Sequence, residues 1–303
     1  MDNLSFPILG RAFHAENVPP LLERWLKEHL YYPEVSPPEN FYSIKLEVLD
    51  KAPDLGEGVS RKSEADMNDE VFWWKQDGSR WWFVEGDTGI QFIVDSDAFN
   101  ITIWGIRNGS RPELKKTFMA MYLAFLEAIR VSGLFPLHAS VAIKDDLVTA
   151  YTGESGMGKS TTLVKALADG AEPLAEDLSW LDPRTTTIYG WDNGLRFWED
   201  GWEKLPEKYK KMDWNGDRDG KMILPWDKLD LERTPSAQLD QLYLLRRCAD
   251  EKELLETESV PTHLAVRALW EASGVPLTDT AKKKISQGIA QLLSRLQIAV
   301  LYI

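Results

Sequence analysis

The stretch "YTGESGMGKSTT", residues 151–162, constrains this chain more than any other. Its Gly-x-x-x-x-Gly-Lys-Ser spacing sets Gly153, Gly158, Lys159 and Ser160 where a phosphate-cradling loop needs them. Glycines let backbone N–H groups converge on an anion, the lysine reaches the β- and γ-phosphates, and the serine hydroxyl ligates Mg²⁺. The flanks fit that use. "DLVTAYTG" (146–153) reads as a proline-free strand rich in Val, Thr and Tyr. "KSTTLVKALADG" (159–170) spaces Leu163, Val164 and Leu167 as a helix does and stops at Gly170, a C-terminal cap. Strand, glycine loop and helix together aim a helix N-terminus at a phosphate. A nucleotide is therefore expected on Gly153, Glu154, Ser155, Gly156, Met157, Gly158, Lys159, Ser160 and Thr161.

Bulk composition narrows the partners. The 303 residues suffice for one sizeable domain or two modest ones. With 35 basic and 48 acidic residues the formal charge is −13, which argues against non-specific binding to nucleic acid or to anionic membranes. The single cysteine, Cys248, excludes an internal disulfide and fits a reducing compartment. Residues 1–13, "MDNLSFPILGRAF", lack the cationic and apolar regions of a secretory signal, and no apolar run is long enough to span a bilayer. These features predict a soluble cytoplasmic protein.

Along the chain, "AENVPPLLERWLKEHL" (15–30) reads as a helix after Pro19-Pro20, and "FYSIKLEVL" (41–49) as a strand. Residues 51–70 read as a loop. Three or four short strands then follow in "EVFWWKQDGSRWWFVEG", "TGIQFIVDSD" and "FNITIWGIRN", an antiparallel meander. Trp73, Trp74, Trp81 and Trp82 flank its Asp77-Gly78 turn, where cross-strand packing is a simpler use for them than ligand stacking. Ser110-Arg111-Pro112-Glu113 has the form of a capping box opening a helix with Leu114, Phe118, Tyr122, Phe125 and Ile129 on one face. After the phosphate loop, "DLSWLDPRTTTIYGWD" predicts a hairpin turning at Asp182-Pro183, and residues 200–220 a charged loop. "QLYLLRR" predicts a buried strand, "PTHLAVRALWEAS" and "TAKKKISQGIAQLLSRL" two helices, and "QIAVLYI" a last strand.

No carboxylate follows the apolar strand "LYLL", which ends in Arg246-Arg247. An acidic pair, Glu176-Asp177 in "PLAEDLSW", lies 23 residues after Gly153 instead, and His138 in "PLHAS" lies 15 before it. Taken with the loop, these segments resemble the bacterial HPr kinase/phosphorylase superfamily. The flanks look more like its HPr-kinase-related branch, which includes kinases of serine in ribosomally made peptides such as lasso-peptide precursors. The likeness covers residues 134–190 well and the flanks loosely. It implies an α/β fold: a phosphoenolpyruvate-carboxykinase-like, mixed-sheet P-loop nucleotide-binding core over residues 111–303. A smaller N-terminal α+β region with the antiparallel meander would occupy residues 1–110.

Carried over, the likeness implies ATP and Mg²⁺ as cofactors. Lys159 would neutralise the β/γ-phosphates, Ser160 and Asp177 would serve the metal, Glu176 would take the acceptor's proton, and His138 would orient the acids. Such chemistry needs positioning, charge neutralisation and one proton-accepting group. The acceptor would be a peptide or small protein, and a homo-oligomer is compatible with the likeness. This chain departs from the family in carrying Glu176 where aspartate is usual, and its post-hairpin segment lacks the HPr-gripping signature. A switch module that binds nucleotide without transfer, and a kinase of free amino-acid hydroxyls, therefore stay open alongside the peptide kinase. Read singly, His138 would be a core histidine and Glu176-Asp177 solvated turn residues. Arg196, Lys221 and Arg246 are simplest as surface or strand-end charges, and Lys282–Lys284 as a solvated helix face. His14, His29 and His263 form no metal spacing with one another.

Overall fold

Period-two alternation of apolar residues sets strands such as Ser43–Leu49 into the one sheet of the first 132 residues. The computed structural model describes residues 2–30, 42–53, 65–67, 71–76, 80–85, 87–106, 114–192, 194–216, 220–225, 228, 236–247 and 257–303. They divide into two compact units, Met1–Ser132 with Pro276–Lys283, and Gly133–Val275 with Lys284–Ile303.

The first unit contains β1 (Asp2–Ile8), β2 (Arg11–Val18), α1 (Pro20–His29), β3 (Ser43–Leu49), β4 (Ala65–Met67) and β5 (Val71–Gln76). β6 (Arg80–Glu85), β7 (Thr88–Val94), β8 (Ala98–Trp104) and α2 (Lys115–Val131) complete it. The eight strands lie in the order β1-β2-β3-β8-β7-β6-β5-β4. The expected meander is present, since β5 to β8 pair antiparallel in sequence order. Trp81 and Trp82 are buried, whereas the side chains of Trp73 and Trp74, the Asp77-Gly78 turn and the Ser110–Glu113 box lie outside the described residues.

Two features of this unit were not anticipated. The β1–β2 hairpin turns at Leu9-Gly10, both with positive φ; "ILG" carries only one of the usual turn residues, so the hairpin is faint in sequence. Strand β4 falls where a loop was expected, and it is three residues long. Helix α2 buries Phe118, Phe125 and Ile129, as its spacing predicts, and Trp25 of α1 stacks on Phe118 with centroids 5.6 Å apart. Its Glu127 is fully buried. There it accepts the N–H groups of Leu277 and Thr278 and the Thr278 hydroxyl, with Arg130 Nη1 at 3.3 Å. A buried carboxylate so satisfied explains why Pro276–Lys283 groups with this unit. Helix α2 thus belongs with the first unit rather than opening the second.

The second unit begins with β9 (Phe135–Leu137), β10 (Ala139–Lys144), β11 (Leu147–Thr152), α3 (Lys159–Ala168) and β12 (Glu172–Ala175). The hairpin of β13 (Ser179–Leu181) and β14 (Thr187–Gly190) follows, then β15 (Gly194–Phe197). Residues 200–220, expected as a loop, instead hold the short helices α4 (Glu199–Glu203) and α5 (Glu207–Lys210) and strand β16 (Asn215–Gly216). Tyr209 and Leu205 bury there beside Leu163 and Leu167; apolar side chains spaced over single turns leave little periodicity to read. β17 (Met222–Pro225), β18 (Ser236–Gln238), β19 (Gln241–Arg246), β20 (Thr257–Ser259), α6 (Thr262–Ala272), α7 (Asp279–Arg295) and β21 (Gln297–Tyr302) follow.

Strands β12-β10-β11-β19-β21-β20 form a mixed six-stranded sheet, with β11 parallel to β19 and β19 parallel to β21. The β18-β14-β13-β9 and β15-β17-β16 sheets are smaller. This is a mixed α/β protein. Leu163, Val164 and Leu167 of α3 pack with Ala142 of β10, so the helix after the glycine loop is clamped to the central sheet.

Candidate functional site

The glycine loop leaves β11 at Thr152 and enters α3 at Lys159. Gly156 and Gly158 have φ of 78° and 87°, a left-handed region that side chains disfavour. At Gly158 a Cβ would also come within 2.7 Å of Ile303 Cδ1. With Gly158 as N-cap, the first turn of α3 presents N–H groups without intrahelical acceptors. Lys159 is buried and folds back to donate to the carbonyls of Gly153 (2.9 Å) and Glu154 (3.3 Å). Desolvation lowers its pKa, and the carboxylates of Asp177 and Glu176 counter that by drawing it upward.

The acidic pair leaves the end of β12, and Asp192 sets its backbone. One Asp192 carboxylate accepts three successive N–H groups, from Glu176 (2.7 Å), Asp177 (3.0 Å) and Leu178 (2.9 Å). Ser140 on β10 donates to the Glu176 carbonyl at 2.7 Å. The two acids then point to different partners. Glu176 is 1 % exposed and accepts the Ser160 hydroxyl on Oε1 at 2.6 Å, while its Oε2 is buried with no hydrogen-bond partner among the described residues. Asp177, about two-fifths exposed, sits with Oδ1 3.2 Å from His138 Nδ1. The same nitrogen is 2.9 Å from the Asp177 carbonyl. Both neighbours of Nδ1 are acceptors, so Nδ1 carries the hydrogen and a neutral ring keeps its lone pair on Nε2. Desolvation lowers the His138 pKa, Asp177 opposes it, and the neutral ring prevails. His138 itself is pinned by Ala272, which accepts its N–H, and by Thr152, whose hydroxyl donates to its carbonyl.

All the expected residues of the loop, with His138, Glu176 and Asp177, therefore gather at one place, but the acids divide differently from the expectation. Ser160 was paired with Asp177 as the metal site, and Glu176 was given the acceptor. In the structure Ser160 holds Glu176, and Asp177 holds His138. Both acids lie in the bend after β12, which ends at Ala175, so strand alternation does not set their directions. Asp192 carries no functional signal in the sequence. Its position in "GWDNG" suggests only a turn, and nothing local reveals that three N–H groups 14 to 16 residues earlier converge on it. Lys221 also gains importance: its charge lowers the pKa of Glu176, His138 and Lys159, and its ammonium lies 5.6 Å from the Trp198 ring. Beside the loop, with His138 on its wall, is a cavity of about 530 Å³.

Burial makes the acids sensitive to pH. Desolvation raises the Glu176 carboxyl to about 7 against the Ser160 hydrogen bond. It also raises Asp192 to about 6 against its three N–H donors. Both folded pKa values lie above the unfolded ones, so the folded state binds these protons more tightly. Their stabilisation is complete below about pH 4 and is lost as pH rises through about 6 and 7. Each shift corresponds to about 3 kcal/mol. The melting temperature of the ligand-free protein should fall by several degrees between pH 5 and pH 8. Glu176→Gln should flatten that slope; an unchanged slope would mean that Glu176 does not titrate in this range.

No family model matches the chain, and no curated protein matches it. Among solved structures it is similar to the HPr(Ser) kinase/phosphatase from Coxiella burnetii, with 16 % identity over 41 % of this chain and 72 % of that chain. The TM-score is 0.25. No helix among the described residues is long and apolar enough to cross a membrane.

Proposed function

We propose that the chain transfers the γ-phosphoryl group of ATP to a serine or threonine hydroxyl of a peptide or small protein. The observation that supports this reading is the meeting of two pairs, Ser160 with Glu176 and His138 with Asp177, beside a glycine loop whose lysine is coupled to both acids. In this reading the N–H groups of the loop and of the first turn of α3 hold the phosphates, and Lys159 neutralises them.

The donor set also fits Mg²⁺. A hydroxyl and a carboxylate supply hard oxygens, and the Glu176 Oε2, buried without a hydrogen-bond partner among the described residues, is an acceptor that a cation would satisfy. Among the described residues no three or more His, Cys, Asp or Glu converge. Mg²⁺ commonly binds through one or two carboxylates together with substrate phosphates. Ser160 and Glu176 would hold the ion, which supplies charge neutralisation at the phosphates.

Asp177 and His138 are left for the acceptor. The acceptor oxygen bonds to the γ-phosphorus as the bond from that phosphorus to the bridging oxygen breaks, and ADP leaves with that electron pair. The hydroxyl proton passes to the His138–Asp177 pair, where Asp177 holds Nδ1–H and Nε2 offers its lone pair. Positioned proton transfer of this kind contributes about 10²–10⁴-fold.

Incubation with Mg²⁺ and ATP labelled at the γ-phosphate should place label on serine or threonine of peptide acceptors. Nucleotide binding with no label on any peptide, amino-acid or sugar hydroxyl would replace this reading with a nucleotide-dependent switch. Label confined to free amino acids would replace the peptide acceptor with a small molecule.

A further inference from the structure

We infer that the cavity beside the glycine loop is the acceptor's subsite, and that it takes a peptide segment carrying carboxylates next to the hydroxyl residue. The inference rests on the transfer reading for the word "acceptor", but the charge preference is a property of the cavity alone. Its volume of about 530 Å³ lies within the range of small-ligand and peptide pockets. It opens at the C-terminal end of β19, beside the parallel strand β11, where open α/β sheets place their ligands.

Location argues for the acceptor rather than the nucleotide base. His138, on the cavity wall, is the residue whose ring bridges to Asp177. The loop residues on the wall are Gly153, Glu154, Ser155 and Met157, and Lys159 donates to the carbonyls of the first two. The cavity thus adjoins the glycine loop at His138, the residue that receives the acceptor's proton in the proposed reaction, which makes this the end where the phosphoryl group leaves. A nucleobase lies away from that end, separated from it by the ribose and the non-transferring phosphates.

Charge argues for carboxylates. Three arginines, Arg246, Arg247 and Arg267, and two glutamates, Glu154 and Glu271, are among the residues that line the cavity. Arg267 uses Nε on Glu271 at 2.7 Å, and Arg247 uses Nη2 on the Gly156 carbonyl at 3.0 Å. The Arg246 carbonyl accepts the Ile303 N–H at 2.8 Å, while its side chain makes no hydrogen bond or ion pair among the described residues. The lining therefore carries one more cation than anion and guanidinium donors beyond those used on Glu271 and the Gly156 carbonyl, and a guanidinium fork matches a carboxylate. A local excess of cation is notable in a chain of net charge −13, whose overall field would favour basic peptides. A preference for acidic peptides must then come from this cavity.

The test uses fluorescein-labelled peptides read by anisotropy: an acidic one (Asp-Glu-Ser-Glu-Asp), a neutral one (Asn-Gln-Ser-Gln-Asn) and a basic one (Lys-Arg-Ser-Arg-Lys). The acidic peptide should bind the full chain about tenfold or more tighter than the neutral one, the scale of charge-assisted hydrogen bonds. The double variant Arg246→Glu/Arg267→Gln should lose that preference while its affinity for a fluorescent ATP analogue stays within about twofold. If the double variant does not fold, Arg246→Gln alone should weaken the acidic peptide by several-fold. Equal binding of the three peptides, or preference for the basic one, overturns the inference. Loss of the ATP analogue with peptide binding intact overturns it too, and gives the cavity to the nucleotide. Acidic-peptide binding without any phosphopeptide under Mg²⁺ and ATP supports the subsite and rejects transfer. Equal phosphorylation of acidic and neutral peptides does the reverse.

Discussion

Replacing Lys159 with methionine should abolish phosphoryl transfer while leaving the fold intact. Methionine keeps an unbranched stem of similar length, so the side chain still fills its buried place at the start of α3. What disappears is the ammonium, which spans the carbonyls of Gly153 and Glu154 and is coupled to Asp177 and Glu176. In the proposed reaction that charge meets the phosphates as negative charge shifts toward the leaving oxygen. Preorganised charge at such a position contributes about 3–4 kcal/mol or more, a loss of a thousandfold in turnover or nearly so. Single-turnover transfer from labelled ATP measures it, and thermal melting checks the fold. Turnover within tenfold of the wild type would mean that the loop's lysine does not serve the reacting phosphate.

The parts of this molecule that were legible in the sequence are those whose cause is local. The loop was readable because Gly156, Gly158, Lys159 and Ser160 are adjacent, and left-handed glycines and a helix N-cap leave their signature in consecutive residues. The face of α2 and the alternation of β3 were readable for the same reason. Asp192 was not, because its role is set by N–H groups brought to it by the β13–β14 hairpin. Of the arginines of the cavity, Arg246 reads in the sequence only as a surface or strand-end charge, and nothing local marks Arg267. Arg246 and Arg267 belong to β19 and α6, and only the tertiary fold sets them around one space. The division of the acids was hidden by something finer. Position in sequence showed that Glu176 and Asp177 would arrive together, whereas the direction of each depends on the backbone that Asp192 and Ser140 fix.

That division makes the sharpest pair of substitutions. Asp177→Asn removes the charge that holds Nδ1–H of His138 and raises the basicity of its Nε2. The amide fits the same volume, so nucleotide and Mg²⁺ affinity should hardly change. Turnover should fall by about a hundredfold or more, the scale of general-base loss, and added Mg²⁺ should not restore it. Glu176→Gln acts at the other pair. An amide can still accept the Ser160 hydroxyl but is a poor ligand for a hard cation. Its turnover should therefore depend more steeply on Mg²⁺ and recover in part when the ion is in excess. Mg²⁺ titrations of both variants under single-turnover conditions separate the roles. The opposite pattern, with Glu176→Gln inactive at every Mg²⁺ concentration and Asp177→Asn rescued by the ion, would return the base to Glu176. It would mean that the contacts Ser160–Glu176 and His138–Asp177 belong to the ligand-free site and exchange when nucleotide binds.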